Sequence, residues 1–272
     1  MKTTRRLLLP ALALASAMLL PLSAQAHRGW ILPAATTLSS EDAWVTFDAA
    51  ISNDIFHTDY VPLRLDALEV IGPDGEAVPV HNAHTGKYRS TFDLNLTERG
   101  TYRITSVMTG VIASWDDNGE RKRWRGRAED YADAVPRRAK DLQATEFTRR
   151  LETYVTAGAP DETVFASDAR GLALAPETHP NDLFAGEAAR FRFLVDGQPA
   201  ANAEVEIIPG GMRYRNHQAL QTLITDKDGY VSIHWPEAGM YWIGVSYQDD
   251  QASLRGARRS VSYSGTFEVL PD

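Results

Sequence analysis

The chain has 272 residues, no cysteine and a formal net charge of −8. The lack of cysteine excludes disulfides, thiolate nucleophiles, thiolate metal sites and a lipidated N-terminal cysteine. The acidic balance argues against nucleic acid or anionic lipid as a partner, and the length supplies a core for one or two domains.

Residues 1–26 read as an export signal. Lys2, Arg5 and Arg6 form a positive start, Leu7 to Leu22 is an apolar run broken by Pro10 and Pro21, and Ala24-Gln25-Ala26 is a small-x-small cleavage pattern. The apolar run is shorter than the roughly 20 residues of a membrane-spanning helix, and no later stretch approaches that length. The expectation is an exported, periplasmic chain with no membrane span, cleaved after Ala26 by a Sec or twin-arginine route. Loss of the three signal cations makes the mature chain still more acidic.

Cleavage there makes His27 the first residue. A free α-amine has a pKa of roughly 7.7–8, low enough for a metal to displace its proton. The amine and the ring Nδ1 then chelate one ion, and nitrogen donors suit copper, nickel, cobalt and zinc better than calcium or magnesium. Trp30, three residues on, reads as an apolar anchor of the first strand.

Short strands of period two follow. "VTFDAAI" sets Val45, Phe47, Ala49 and Ile51 on one face. "SNDIFHTDY" is a polar loop carrying Asp54, His57 and Asp59. "GPDGE" at 72–76 is a turn, and "VHNAH" places His81 and His84 three residues apart before the next strand. "YRSTFDLNL" sets Tyr88, Phe92, Leu94 and Leu96 inward, and "TYRITSV" follows the turn "TERGT". This spacing predicts an antiparallel sandwich.

From about 120 to 150 the composition changes to "RKRWRGRAEDYADAVPRRAKDLQATEFTRR", highly charged and poor in β-branched residues. Pro136 is placed to open a short helix through about Ala144, so a charged, partly helical insertion is expected, with a basic binding surface as the rarer alternative. "LETYVT" reads as a strand. A boundary near Gly171 divides a first sandwich, 27–170, from a second, 171–272. In the second, "ARFRFLV" alternates Phe191, Phe193 and Val195 against Arg190 and Arg192. Val205 and Ile207 then face inward, "DKDG" at 226–229 makes a hairpin turn, and Val231, Ile233 and Trp235 share a face opposite His234. His179 sits in "ETHPNDL", a loop held extended by Pro180. The fold class expected is all-β, two antiparallel sandwiches of immunoglobulin-like or prealbumin-like type.

Catalytic signatures are missing: there is no G-x-S-x-G, no H-E-x-x-H and no phosphate-binding glycine loop. The chain is therefore not expected to be an enzyme.

"AHRGWILP", "SNDIF", "RSTFDLNLTERGTYRI", "YVTAGAP", "THPNDLFAGE", "FLVDGQPAANAEVEI" and "TDKDGYVSIHWPEAGMYWI" occur in this order across the mature chain. In that order they resemble a periplasmic family of unknown function that is often labelled the periplasmic component of nickel or cobalt uptake. The resemblance implies two β-sandwich modules, a metal contact at His27, and a membrane transporter or outer-membrane receptor as partner.

Three functions remain open. The first is a periplasmic accessory protein that binds nickel, cobalt or copper through His27, with ligands from His81, His84 or His57. His81 and His84 are the favoured partners, since both precede a strand as His27 does. Two imidazoles added to the His27 chelate give four nitrogens, a set suited to square-planar copper or nickel. The second is a structural or ligand-binding sandwich without metal, with Trp115, Trp124 or Tyr214 as exposed contacts. The third is a copper oxygenase built on a histidine brace.

Overall fold

The computed structural model describes residues 27–39, 42–165 and 170–272. The expected export signal, residues 1–26, lies outside the described residues. In chain order the strands are β1 Arg28–Pro33, β2 Thr37–Leu38, β3 Ala43–Ser52, β4 Val61–Pro62, β5 Leu68–Ile71, β6 His81–Thr85, β7 Ser90–Leu96, β8 Gly100–Asp117 and β9 Glu120–Gly126. A short helix, α1 Tyr131–Ala134, precedes β10 Lys140–Ala157. Then come β11 Leu172–Pro176, β12 Ala188–Val195, β13 Gln198–Pro199, β14 Glu204–Pro209, β15 Gln221–Ile224, β16 Tyr230–His234, β17 Gly239–Asp249 and β18 Arg258–Val269.

The chain is all-β and mostly antiparallel, as expected. It forms three sheets. One runs β1-β3-β7-β6 with β4 beside β3; a large one runs β15-β14-β17-β18-β10-β8-β5 with β2 and β9 at its margins; a small one holds β11, β12, β13 and β16. Two cores lie on opposite faces of the large sheet. On one face Leu151, Val155 and Ala157 of β10 join Tyr102 and Ile104 of β8 against Phe47, Phe92 and Leu94 of the first sheet. On the other, Tyr154 of the same strand joins Tyr263, Phe267 and Ile243 against Phe191, Phe193 and Ile233 of the small sheet. Every residue of β10 from Arg150 to Ala157 is buried, because alternate side chains enter different cores.

β10 pairs antiparallel with β8 over nearly its whole length and parallel with β18 from Thr145 to Thr153. One continuous sheet thus serves both cores, and its parallel seam departs from a pair of purely antiparallel sandwiches.

The expected helical insertion is corrected. The basic stretch from Glu120 forms β9, a hairpin partner of β8. Asn118 (φ 54°) and Gly119 (φ 88°) make a two-residue turn of positive φ, the conformation that matches strand twist. The residues after Pro136 form a turn and then the start of β10, and among the described residues helix is confined to α1 and three single-turn segments. Cross-strand pairing with β8 overrides the poor strand propensity of Lys140 to Gln143. Trp115 and Trp124, read as exposed contacts, are only partly exposed. They pack with Tyr131 against Ala113, Val135 and Ala144. Tyr88 is 42% exposed, since its strand starts only at Ser90. The 226–229 turn is present: the Asp226 carboxylate accepts from the Asp228 and Tyr230 amides. It connects two different sheets (β15 to β16) and so is not a hairpin.

Candidate metal-binding end of the first sheet

His27 lies immediately before β1, exposed, with its ring flat against Tyr60 at 3.7 Å between centroids and 7° between planes. The geometry follows from how β1 is anchored. Trp30 is 2% exposed, and its indole Nε1 donates to Ser52 Oγ at 2.7 Å. Trp30 packs with Ala50, Ile55, Ile208 and Trp242, a third cluster that joins the first sheet to β14 and β17. Gly29 supplies its carbonyl to the Trp242 indole at 3.0 Å. Arg28 reaches Glu206 at 3.4 Å and lies over the Trp242 ring.

The loop after β3 closes on this anchor. Phe56, at φ 59°, meets the Trp30 ring edge-on at 5.7 Å, and the His57 amide donates to Asp54 O. Asp59 accepts from the Asn53 amide and side chain, folding the loop back so that Tyr60 reaches His27. A second loop, after β14, meets the first: Met212 packs on the Trp30 cluster. Arg215 donates to the carbonyls of Pro209, Gly210, His217 and Gln218, which ties His217 close to Gly210. His57 and His217 therefore stand on two loops that meet at the end of β1. The first of these was visible as a polar loop carrying His57. The second was not, because only long-range packing brings residue 212 to residue 56.

His81 and His84 lie elsewhere. They are on β6, the edge opposite β1, three strand spacings or about 14 Å away. They are also displaced along the strands: Arg28 faces Ser52, whereas His84 faces Thr91, whose β3 neighbour is Asp48. The four-nitrogen set of His27, His81 and His84 is not assembled in this arrangement. A bulge at Asn82 (φ 49°) does place His81 and His84 on one outer face, opposite Asp93 and Thr91. There His81 meets the exposed Trp44 ring at 5.2 Å, and Asp93 is engaged by Thr46 and Asn82. Among the described residues, no three His, Asp or Glu side chains gather around a common point.

His179 plays a structural role. Its Nδ1 accepts from the Asn181 amide at 3.1 Å, which leaves Nε2–H to be shared between Asp161 O at 3.1 Å and Thr101 Oγ1 at 3.0 Å. Burial pushes its pKa below the ordinary histidine value. The unfolded chain, with a histidine pKa near 6.5, then takes a proton before the folded one does. The stability carried by neutral His179 is present above about pH 6.5 and is lost as pH falls below it. Urea midpoints measured from pH 7.5 to 5 should fall, and His179→Gln should flatten that part of the curve while costing stability at pH 7.5.

Mostly antiparallel sheets packed through apolar faces, with a histidine at the lip of the first strand, define an all-β multilayer protein. The chain belongs to the family described as Domain of unknown function (DUF4198), whose model matches residues 24–249. No curated protein matches it. Among solved structures, the D0-D1 domain of Intimin is 10% identical over 88% of this chain and 97% of its own, with a TM-score of 0.22. The human OSCAR ligand-binding domain is 11% identical over 90% and 100%, also at 0.22. Neither likeness carries an inference about what this chain does. Among the described residues no helix is long and apolar enough to cross a membrane.

Proposed function

We propose that this chain is a periplasmic transition-metal-binding accessory protein, exported and cleaved after Ala26, with His27 as the primary ligand for nickel, cobalt or copper. The observation that supports this reading best is the ordered, exposed setting of His27. Its ring is held on Tyr60 at 3.7 Å, at an end that also carries the loops of His57 and His217. A terminal chelate fixed on a rigid strand loses little freedom on binding. His57, Asp54 and Asp59 on the loop after β3 and His217 on the loop after β14 are the candidates to complete a coordination sphere, and His57 or His217 replaces the β6 pair as the preferred third donor. The metal is cargo in this reading, handed to a membrane transporter or outer-membrane receptor.

The test compares mature protein beginning at His27 with protein carrying one extra N-terminal glycine. Blocking the chelate is expected to lower nickel and copper affinity at least tenfold by calorimetry. Equal binding by the two forms would reject the role of His27, and no metal uptake by either would favour a sandwich that serves as a structural or ligand-binding module.

A further inference from the structure

The basic stretch that sequence reading assigned to an insertion forms instead one exposed face of the large sheet. β9 pairs with β8 so that Arg121, Arg123 and Arg125 lie opposite Asp116, Ser114 and Ile112. Register through β8 and β10 carries the same face to Arg149, opposite Met108, and to Arg258, opposite Thr145. All five arginines are exposed, and Asp116 is the one acidic residue among their register partners. Among the described residues none of the five makes an ion pair. Arg125 and Arg149 instead both lie over the Phe147 ring, at 5.1 and 5.2 Å. Partial desolvation and the like charge of Arg125 depress the Arg149 guanidinium from its ordinary value. In a chain of net charge −8, this is a concentrated positive field with Asp116 as the one acidic register partner.

β9 is also a free edge, since among the described residues its only strand partner is β8. The turn bonds Asp117 to Glu120, and antiparallel alternation then directs the N–H and C=O groups of Arg121, Arg123 and Arg125 away from β8. The edge thus presents outward backbone groups at the three residues whose side chains are cationic. Charge on an edge strand deters pairing with another edge, but Arg149 and Arg258 lie on interior strands, where edge protection needs no charge.

We propose that β9 is a docking edge for an extended acidic segment of a partner protein. The segment adds as a strand and pairs its backbone with Arg121, Arg123 and Arg125. Alternate carboxylates on such a strand are spaced about 6.7 Å apart, as are the three arginines, and each meets a guanidinium cross-strand. Arg149 and Arg258 extend the attracting field across the face.

The probe is a fluorescein-labelled decamer of alternating Thr and Glu, set against its block isomer with five Thr followed by five Glu. Fluorescence anisotropy on the mature chain should show the alternating peptide binding at least tenfold tighter, more weakly as salt rises. Arg121→Glu with Arg123→Glu should abolish that preference, and Arg149→Glu with Arg258→Glu should weaken binding less. Both double variants leave the Phe147–Arg125 contact in place, and an unchanged circular dichroism melt confirms that they fold. The proposal is overturned by equal binding of the two isomers, by no binding, by a charge-reversed edge that binds as well as wild type, or by a preference for anionic vesicles or a sulfated polysaccharide over the peptide.

Discussion

Replacing Glu152 by alanine is expected to cost about 3–5 kcal/mol of folding stability, the loss typical when one partner of a buried ion pair is removed. Glu152 is 3% exposed and Arg150 is 8% exposed, side by side on β10 with Nη1 to Oε1 at 3.0 Å. The other carboxylate oxygen accepts from the Tyr154 hydroxyl at 2.7 Å, and Thr105 Oγ1 reaches Oε1 at 3.3 Å. The group sits on the strand that serves two cores. Without Glu152, Arg150 keeps one carbonyl partner, Arg170 O at 3.4 Å, while its Nε already has none. A buried guanidinium without a counter-charge is the costly outcome. Tyr154 also loses its acceptor, beside the buried Tyr263 hydroxyl that shares the same carboxylate environment. Both phenols are held well above the ordinary tyrosine value, first by burial and then by the Glu152 charge. Urea unfolding monitored by tryptophan fluorescence measures the loss. Glu152→Gln should cost clearly less, because it keeps the shape and acceptor oxygens. A loss below about 1 kcal/mol for Glu152→Ala would show that the pair is solvated.

Much of the packing was readable because a buried strand writes its inward face in every second residue. Val45, Phe47 and Ala49, then Phe92, Leu94 and Leu96, then Phe191 and Phe193 are all buried as their alternation requires. What alternation cannot convey is partnership. β10 buries both faces, so its apolar and polar residues follow no simple period, and nothing local announces that Thr145 to Thr153 will run parallel to residues over a hundred positions away. The charged stretch misled for a related reason. Arginine alternating with Lys122 and Trp124 is compatible with a two-faced strand, and "DNGE" at 117–120 carried the hairpin turn. The composition drew attention away from it.

The candidate site was half legible. His27 could be singled out from the cleavage pattern, and its neighbour loop from its polar residues. The choice between His57 and the His81–His84 pair depended on strand order, and β6 lies on the far edge from β1. Tyr60 carried no signal beyond sharing a loop with His57, although its ring makes the closest aromatic contact to His27.

Trp30→Ala is expected to be comparably destabilising and to act on the site as well. Removing a buried tryptophan costs roughly 3–5 kcal/mol, and a chain of this size loses about 2–4 °C in Tm for each kcal/mol. Here the indole fills the cluster formed by Ile55, Ile208 and Trp242, and its Nε1 holds Ser52 at the end of β3. The Ser52 hydroxyl in turn donates to Asp54 O, the first link of the loop that carries His57 and Tyr60. Loss of the indole therefore frees the start of β1 and the loop that positions the His27 ring. Metal affinity, measured well below the lowered Tm, should fall together with stability, because the chelate then has to be ordered on binding. Trp30→Phe separates the two effects. It keeps most of the apolar contact and removes the bond to Ser52, so it should cost about 1 kcal/mol while still loosening the loop. If Trp30→Phe and Trp30→Ala both bind nickel as the parent does, His27 acts without support from the strand and loop around it.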